Sequence, residues 1–145
     1  MISLLPARAF TLSNLLVLPA WFLLIVAPRW KWTRVVAAYV TPALLAVAWL
    51  LIATTRATPI GGGFGSLDQV AQMLRDPWFV VMGWQHALIL DLFVGAWEAR
   101  DAQRLGIPHG YVVPCLVFTF LAGPVGLIGY FVVRVAVVRR WPWNR

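Results

Sequence analysis

Three of the five acidic residues in this chain lie within eleven consecutive positions, with a histidine on either side of the group. The acids are Asp91, Glu98 and Asp101, and the histidines are His86 and His109. Carboxylate and imidazole groups transfer protons in acid–base catalysis, and they also bind zinc, iron and manganese. Segment 86–109 is therefore the part of the sequence best equipped for chemistry.

Three interpretations of this segment are open. In the first, Asp91 and His86 are a catalytic acid and base that exchange protons with a ligand in an apolar pocket. In the second, Glu98, Asp101 and His109 hold a metal ion. In the third, the acids are structural and pair with polar or basic groups of neighbouring helices. The spacing matches no catalytic or metal-binding motif, and no nucleotide-binding pattern occurs, so no cofactor is predicted beyond a bound ligand or that metal.

The composition places these residues in a membrane. Of 145 residues, 61% are hydrophobic and 12% are charged, whereas a soluble domain is about half apolar and about a quarter charged. The net charge is +7, but the basic residues lie between apolar runs, where they meet lipid headgroups. The expected partner is therefore a lipid bilayer and not nucleic acid, and residues 1–145 form one membrane domain.

Four apolar runs predict the helices that position the candidate residues. Each run is close to the ~20 residues that an α-helix needs to cross ~30 Å of hydrocarbon. Between the second and third runs, Ser66 opens a capping box, and apolar residues follow it at helical spacing. The predicted fold is an all-α bundle of four transmembrane helices with a short amphipathic interfacial helix. The expected spans are about 10–27, 35–53, 78–97 and 111–133.

The basic residues also set the expected orientation. Four crossings place both ends of the chain on one side, with seven Lys and Arg residues there against five on the other side. The positive-inside rule then favours cytoplasmic termini.

A ligand slot is expected where the third and fourth spans meet. Two prolines should kink the fourth helix, and its glycines allow a neighbouring backbone to approach closely. Such a slot suits a long, flat lipid. The expected lining residues are Asn14, Trp84, Pro114, Thr119, Gly123 and Pro124.

The sequence resembles a known membrane family over roughly residues 10–134. This is the abscisic-acid-deficient-four-like, or neoxanthin-synthase-like, family, whose plant members are implicated in forming neoxanthin from violaxanthin. The resemblance is carried by Trp84-Gln-His86, Asp91-Leu-Phe-Val-Gly95, Trp97-Glu98, Asp101, Gly106-Ile-Pro-His109, Val113-Pro-Cys115 and Gly123-Pro-Val-Gly-Leu127.

The resemblance implies that the ligand is a carotenoid or related isoprenoid and that the reaction is an isomerisation or an epoxide rearrangement. Such a reaction protonates an oxygen, removes a nearby C–H proton and transfers no electrons. His86 and Asp91 suit those roles, without an assignment of acid and base.

Two alternatives to this function stay open. One is a non-catalytic pigment-binding or scaffold subunit, in a membrane complex or a homo-oligomer. The other is a metal-dependent membrane enzyme. Because the chain begins at its first span without a transit peptide, we expect a bacterial protein of the inner membrane.

Overall fold

The computed structural model describes residues 4–138, and these residues form helices and no strand. Four of the helices are long and apolar enough to cross a membrane, which makes the chain a multi-pass membrane protein. The fifth is short and joins the second long helix to the third. The helices are α1 (Leu4–Val26), α2 (Lys31–Thr55, with a π-helical stretch at Val36–Val40), α3 (Leu67–Met73), α4 (Pro77–Leu105) and α5 (His109–Val138).

Local signals in the sequence set the ends of α3 and α4. The predicted capping box is present, because Ser66 Oγ accepts a hydrogen bond from the Gln69 N–H at 3.3 Å. At the start of α4, Asp76 caps the helix by accepting from the Trp78 N–H at 2.8 Å. The helix ends at Gly106, whose φ of 70° is left-handed. It therefore extends eight residues beyond the apolar run that predicted it.

α5 contains a chain reversal in place of the expected kink. Ala122 has φ −157° and ψ 67°, which breaks the helix into a first arm (109–121) and a second arm (123–138). A Cβ on Gly126 would collide with the backbone of Thr119 and with the Cys115 carbonyl. In a straight helix Gly126 and Thr119 would lie ~10.5 Å apart along the axis. The two arms are therefore antiparallel and form a hairpin.

The second arm is fastened to the C-terminal part of α4. Asp101 Oδ2 accepts hydrogen bonds from the Tyr130 hydroxyl at 2.7 Å and from Arg134 Nε at 2.8 Å. The Trp97 ring meets the Tyr130 ring edge-on, with 5.3 Å between the centroids. These contacts place the second arm beside the C-terminal end of α4, which is also where the first arm begins.

The hairpin alters the predicted topology. At 1.5 Å per residue the arms measure about 20 Å and 24 Å, so neither crosses ~30 Å of hydrocarbon alone. The hairpin enters and leaves on one side, together with the α1–α2 turn, whose Pro28 carbonyl accepts from Gln103 at 2.8 Å. For residues 4–138, this geometry predicts that the two ends lie on opposite sides of the membrane, whereas four straight crossings would place them on one side.

The corrected topology also redistributes the basic residues. Three described ones (Arg8, Arg56, Arg75) lie on the side where α1 begins. Six (Arg29, Lys31, Arg34, Arg100, Arg104, Arg134) lie on the other side. Arg139, Arg140 and Arg145, which entered the earlier count, lie outside the described residues. The positive-inside rule now favours a cytoplasmic location for the turns of α1–α2 and α4–α5.

Single-cysteine labelling tests this topology. In a Cys115→Ala background, Arg104→Cys and Val137→Cys should react with a membrane-impermeant maleimide from the same side, and Ile60→Cys from the opposite side. In right-side-out vesicles the first two should be protected and the third labelled. Labelling of positions 137 and 60 from one side would show that α5 crosses the bilayer as a straight helix.

The close approach of the two arms predicts a second result. Gly126→Ala should lower the free energy of unfolding by about 1–3 kcal/mol, because the added methyl would overlap the backbone of the first arm. The melting midpoint of the detergent-solubilised protein should fall accordingly. Gly129→Ala is the matched control. Its Cβ would meet only Cys115 Sγ, at 3.8 Å, so its stability should be unchanged or slightly raised by the better helix former. Equal effects of the two substitutions would contradict the hairpin.

Candidate functional site

His86 lies in an apolar pocket of about 520 Å³ enclosed by α2, α3, α4 and the loop before α3. Its imidazole is exposed to this space, although the residue belongs to a predicted membrane span. The pocket walls are mostly aromatic and aliphatic and include Trp49, Ala53, Phe64, Met73, Phe79 and Met82. The arrangement offers one titratable group to a hydrophobic ligand, as in many ligand-binding pockets.

A smaller cavity of about 220 Å³ is lined by Ala46, Trp49, His86 and Ile89. Because Trp49 and His86 line both spaces, the two cavities are neighbours between α2 and α4, and together they are called the groove. Trp49 lies in the middle of this groove.

The end of the groove beside the C-terminus of α2, called the outer end, contains a positively charged side chain. Arg56 follows the last residue of α2, and its guanidinium lies 4.5 Å above the Trp78 ring centroid. This cation–π contact holds the guanidinium against the ring. Among the described residues it makes no hydrogen bond or ion pair, and Thr58 places a hydroxyl on the same rim. Sequence reasoning missed Arg56 because 22 positions separate it from Trp78.

Asp91 lies on another side of α4, against the hairpin. A Cβ on Gly123, which follows the break in α5, would collide with the Asp91 carboxyl group. Five residues correspond to about 140° around a helix, and this rotation directs His86 and Asp91 to different neighbours. The predicted acid–base pair is therefore not brought together. Asp91 makes no hydrogen bond within the described part of the chain.

The three residues of the metal interpretation have separate partners. Glu98 is fully buried, and its carboxyl oxygens lie 3.0 Å and 3.2 Å from the Thr119 hydroxyl that donates to them. Asp101 is held by the second arm, and the imidazole of His109 donates to the Ile25 carbonyl at 2.8 Å. No cluster of three or more His, Cys, Asp or Glu residues occurs between residues 4 and 138. This geometry favours the structural interpretation of the acids.

The expected ligand slot is also divided. Trp84 donates its indole N–H to Asn14 Oδ1 at 3.0 Å, which joins α4 to α1. The Thr119 hydroxyl donates to the Glu98 carboxylate, and the Asp91 carboxyl group packs against Gly123. Pro114 and Pro124 are exposed on the outer surface of the hairpin. None of these six residues lines the groove that contains His86.

Comparison with known proteins gives one match. The family model described as ABA DEFICIENT 4-like matches residues 8–130, a range that includes every residue of the groove and all of α4. No curated protein and no solved structure matches the chain.

The contact between Gly123 and Asp91 predicts a non-additive pair of substitutions. Gly123→Ala should destabilise the protein by about 1–3 kcal/mol, because its methyl would overlap the carboxyl group. In an Asp91→Ala background the same change should cost little, since the obstructing atoms are gone. Gly110→Ala, whose Cβ meets nothing within 4 Å, is the control. Melting midpoints of the four variants measure the coupling, and additive effects would refute the contact.

Proposed function

This chain belongs to the ABA DEFICIENT 4-like family, and we propose that it binds a carotenoid or related isoprenoid in the groove lined by His86. Family membership supports a carotenoid-related membrane protein. The observation that carries the proposal is an exposed imidazole inside an apolar pocket of about 520 Å³.

The groove suits a ligand that arrives through the bilayer. Its walls are hydrophobic, and its volume lies in the range of pockets that enclose small molecules. Its long walls come from α2 and α4, two helices able to span a membrane, so we expect an isoprenoid to enter the groove from the bilayer. The apolar walls supply most of the binding free energy, and the few polar groups orient the ligand.

We further propose that His86 moves protons in an isomerisation or epoxide rearrangement of the ligand's end group. The imidazolium donates a proton to the epoxide oxygen as its C–O bond breaks. A neighbouring C–H proton leaves to the neutral imidazole as the new double bond forms. One proton is gained and one lost, so the product is an isomer and no oxidant or reductant is needed. Imidazole suits both steps because one ring nitrogen can donate a proton and a ring nitrogen without a proton can accept one.

Because Asp91 is separated from His86, the proposed reaction uses His86 for both proton transfers. The other polar groups on the groove, Arg56 and Thr58, can donate hydrogen bonds but are not bases near neutral pH. The structural acids Glu98 and Asp101 bind other helices and take no part.

Two variants test binding and conversion separately. In a host that makes carotenoids, the wild-type protein should purify with bound pigment, and Ala53→Trp, which fills the pocket, should abolish this. His86→Ala should retain pigment but slow conversion by about 10²-fold, the usual contribution of general acid–base catalysis. Leu90→Ala, on the same helix but outside the groove, should change neither.

The results distinguish the alternatives. Pigment absorbance and chromatography of the extracted carotenoids provide the two readouts. Full pigment content in Ala53→Trp would place the ligand elsewhere. Bound pigment with an unchanged product profile in His86→Ala would favour the non-catalytic, pigment-binding role.

A further inference from the structure

We propose that Arg56 selects ligands with an oxygen-bearing end group and holds them lengthwise in the groove, with the hydrocarbon chain running past His86 towards Ala46 and Ile89. This inference rests on the proposed function, because it concerns the same groove. It adds a specificity-determining residue and a direction of binding.

The shape of the groove gives the direction. The larger and smaller cavities share Trp49 and His86, so they lie next to each other along α2 and α4. Arg56 stands at one end and Ala46 at the other, ten residues apart on α2, which corresponds to ~15 Å. A long, narrow ligand can follow this course, whereas a compact ligand would fill only one part.

The polar groups of the groove are unevenly distributed. Arg56 and Thr58 lie at the outer end, His86 lies between the cavities, and the side chains of Ala46 and Ile89 at the inner end contain no polar atom. A polar end group would lose its hydrogen bonds at the inner end, which is costly in an apolar environment. The oxygen-bearing end of an amphipathic isoprenoid therefore belongs at the outer end.

The guanidinium of Arg56 has hydrogen-bond donors that can bind such an end group. The guanidinium lies 4.5 Å from the Trp78 ring centroid, and within the described residues its N–H groups have no hydrogen-bond partner. These N–H donors can therefore donate to a hydroxyl oxygen of a ligand. A ring hydroxyl held there leaves the junction of ring and chain nearer to His86, the residue proposed to act on it.

Two probes that differ only in the end group test the selection. Zeaxanthin has hydroxylated rings, and β-carotene has the same chain without oxygen. Titrated into wild-type protein in nanodiscs, zeaxanthin should bind about tenfold more tightly, as one charge-assisted hydrogen bond allows. Arg56→Leu should remove this preference and leave β-carotene affinity unchanged, which also shows that the variant is folded. Arg75→Leu, a cation on the same connection but outside the groove, should keep the preference.

A third variant tests the direction. Ala46→Trp, which fills the inner end, should weaken binding of both carotenoids at least tenfold but spare 3-hydroxy-β-ionone, a hydroxylated ring with a short chain. Ala43→Trp, exposed on the same helix outside the groove, should affect none of these probes.

The outcomes separate this inference from the proposed function. Binding of both carotenoids with no preference, or a preference that survives in Arg56→Leu, would overturn the role of Arg56 alone. Loss of 3-hydroxy-β-ionone in Ala46→Trp would overturn the direction. If wild-type protein binds neither carotenoid, the proposed function and this inference both fail.

Discussion

A carboxylate placed among membrane-spanning helices is stabilised by hydrogen-bond donors of the protein, because hydrocarbon offers none. Asp101 has such donors in Tyr130 and Arg134, and both reach it only because the chain reverses at Ala122. The reversal has its own cost, since a broken helix leaves backbone groups without helical partners. At the break, Gly123 is buried against the Asp91 carboxyl group of α4, whereas Leu121 and Ala122 are exposed. The attachment of the second arm to α4 is therefore the contact on which the shape of the C-terminal half depends.

The hairpin gives α4 two different sides. One side faces the two arms and contains the acids, with Glu98 bonded to Thr119 and Asp91 against Gly123. Another faces α2 and contains the groove with His86. This division keeps the structural acids away from the imidazole, so any proton chemistry in the groove falls to His86. It also leaves the groove wall free of acids, which suits a hydrophobic ligand.

The groove is lined by two different parts of the molecule, the long helices α2 and α4 and the connection that contains α3. Its long walls are transmembrane helices, held on the other sides of α4 by buried contacts such as the Trp21 ring against Gly95. Its outer end is formed by the glycine-containing connection and α3, where Ile60, Phe64 and Leu67 are among the most exposed apolar residues. Such side chains are stable at a lipid surface rather than in water. Under the proposed function, a ligand from the bilayer would meet this apolar connection before His86.

The sequence by itself determined the elements. Apolar runs of sufficient length and the capping box at Ser66 are local signals, and they correctly indicated an all-helical membrane protein and its short connecting helix. The resemblance correctly indicated its family. Local signals could not show which side chains meet, because partners such as Arg56 and Trp78 or Asp101 and Arg134 are far apart in the chain. Pro124 and Gly123 indicated a distortion in α5, but a kink and a full reversal share the same local signature. Only the packing of the second arm against α4 decided between them. That choice separated Asp91 from His86 and left the imidazole alone in an apolar groove.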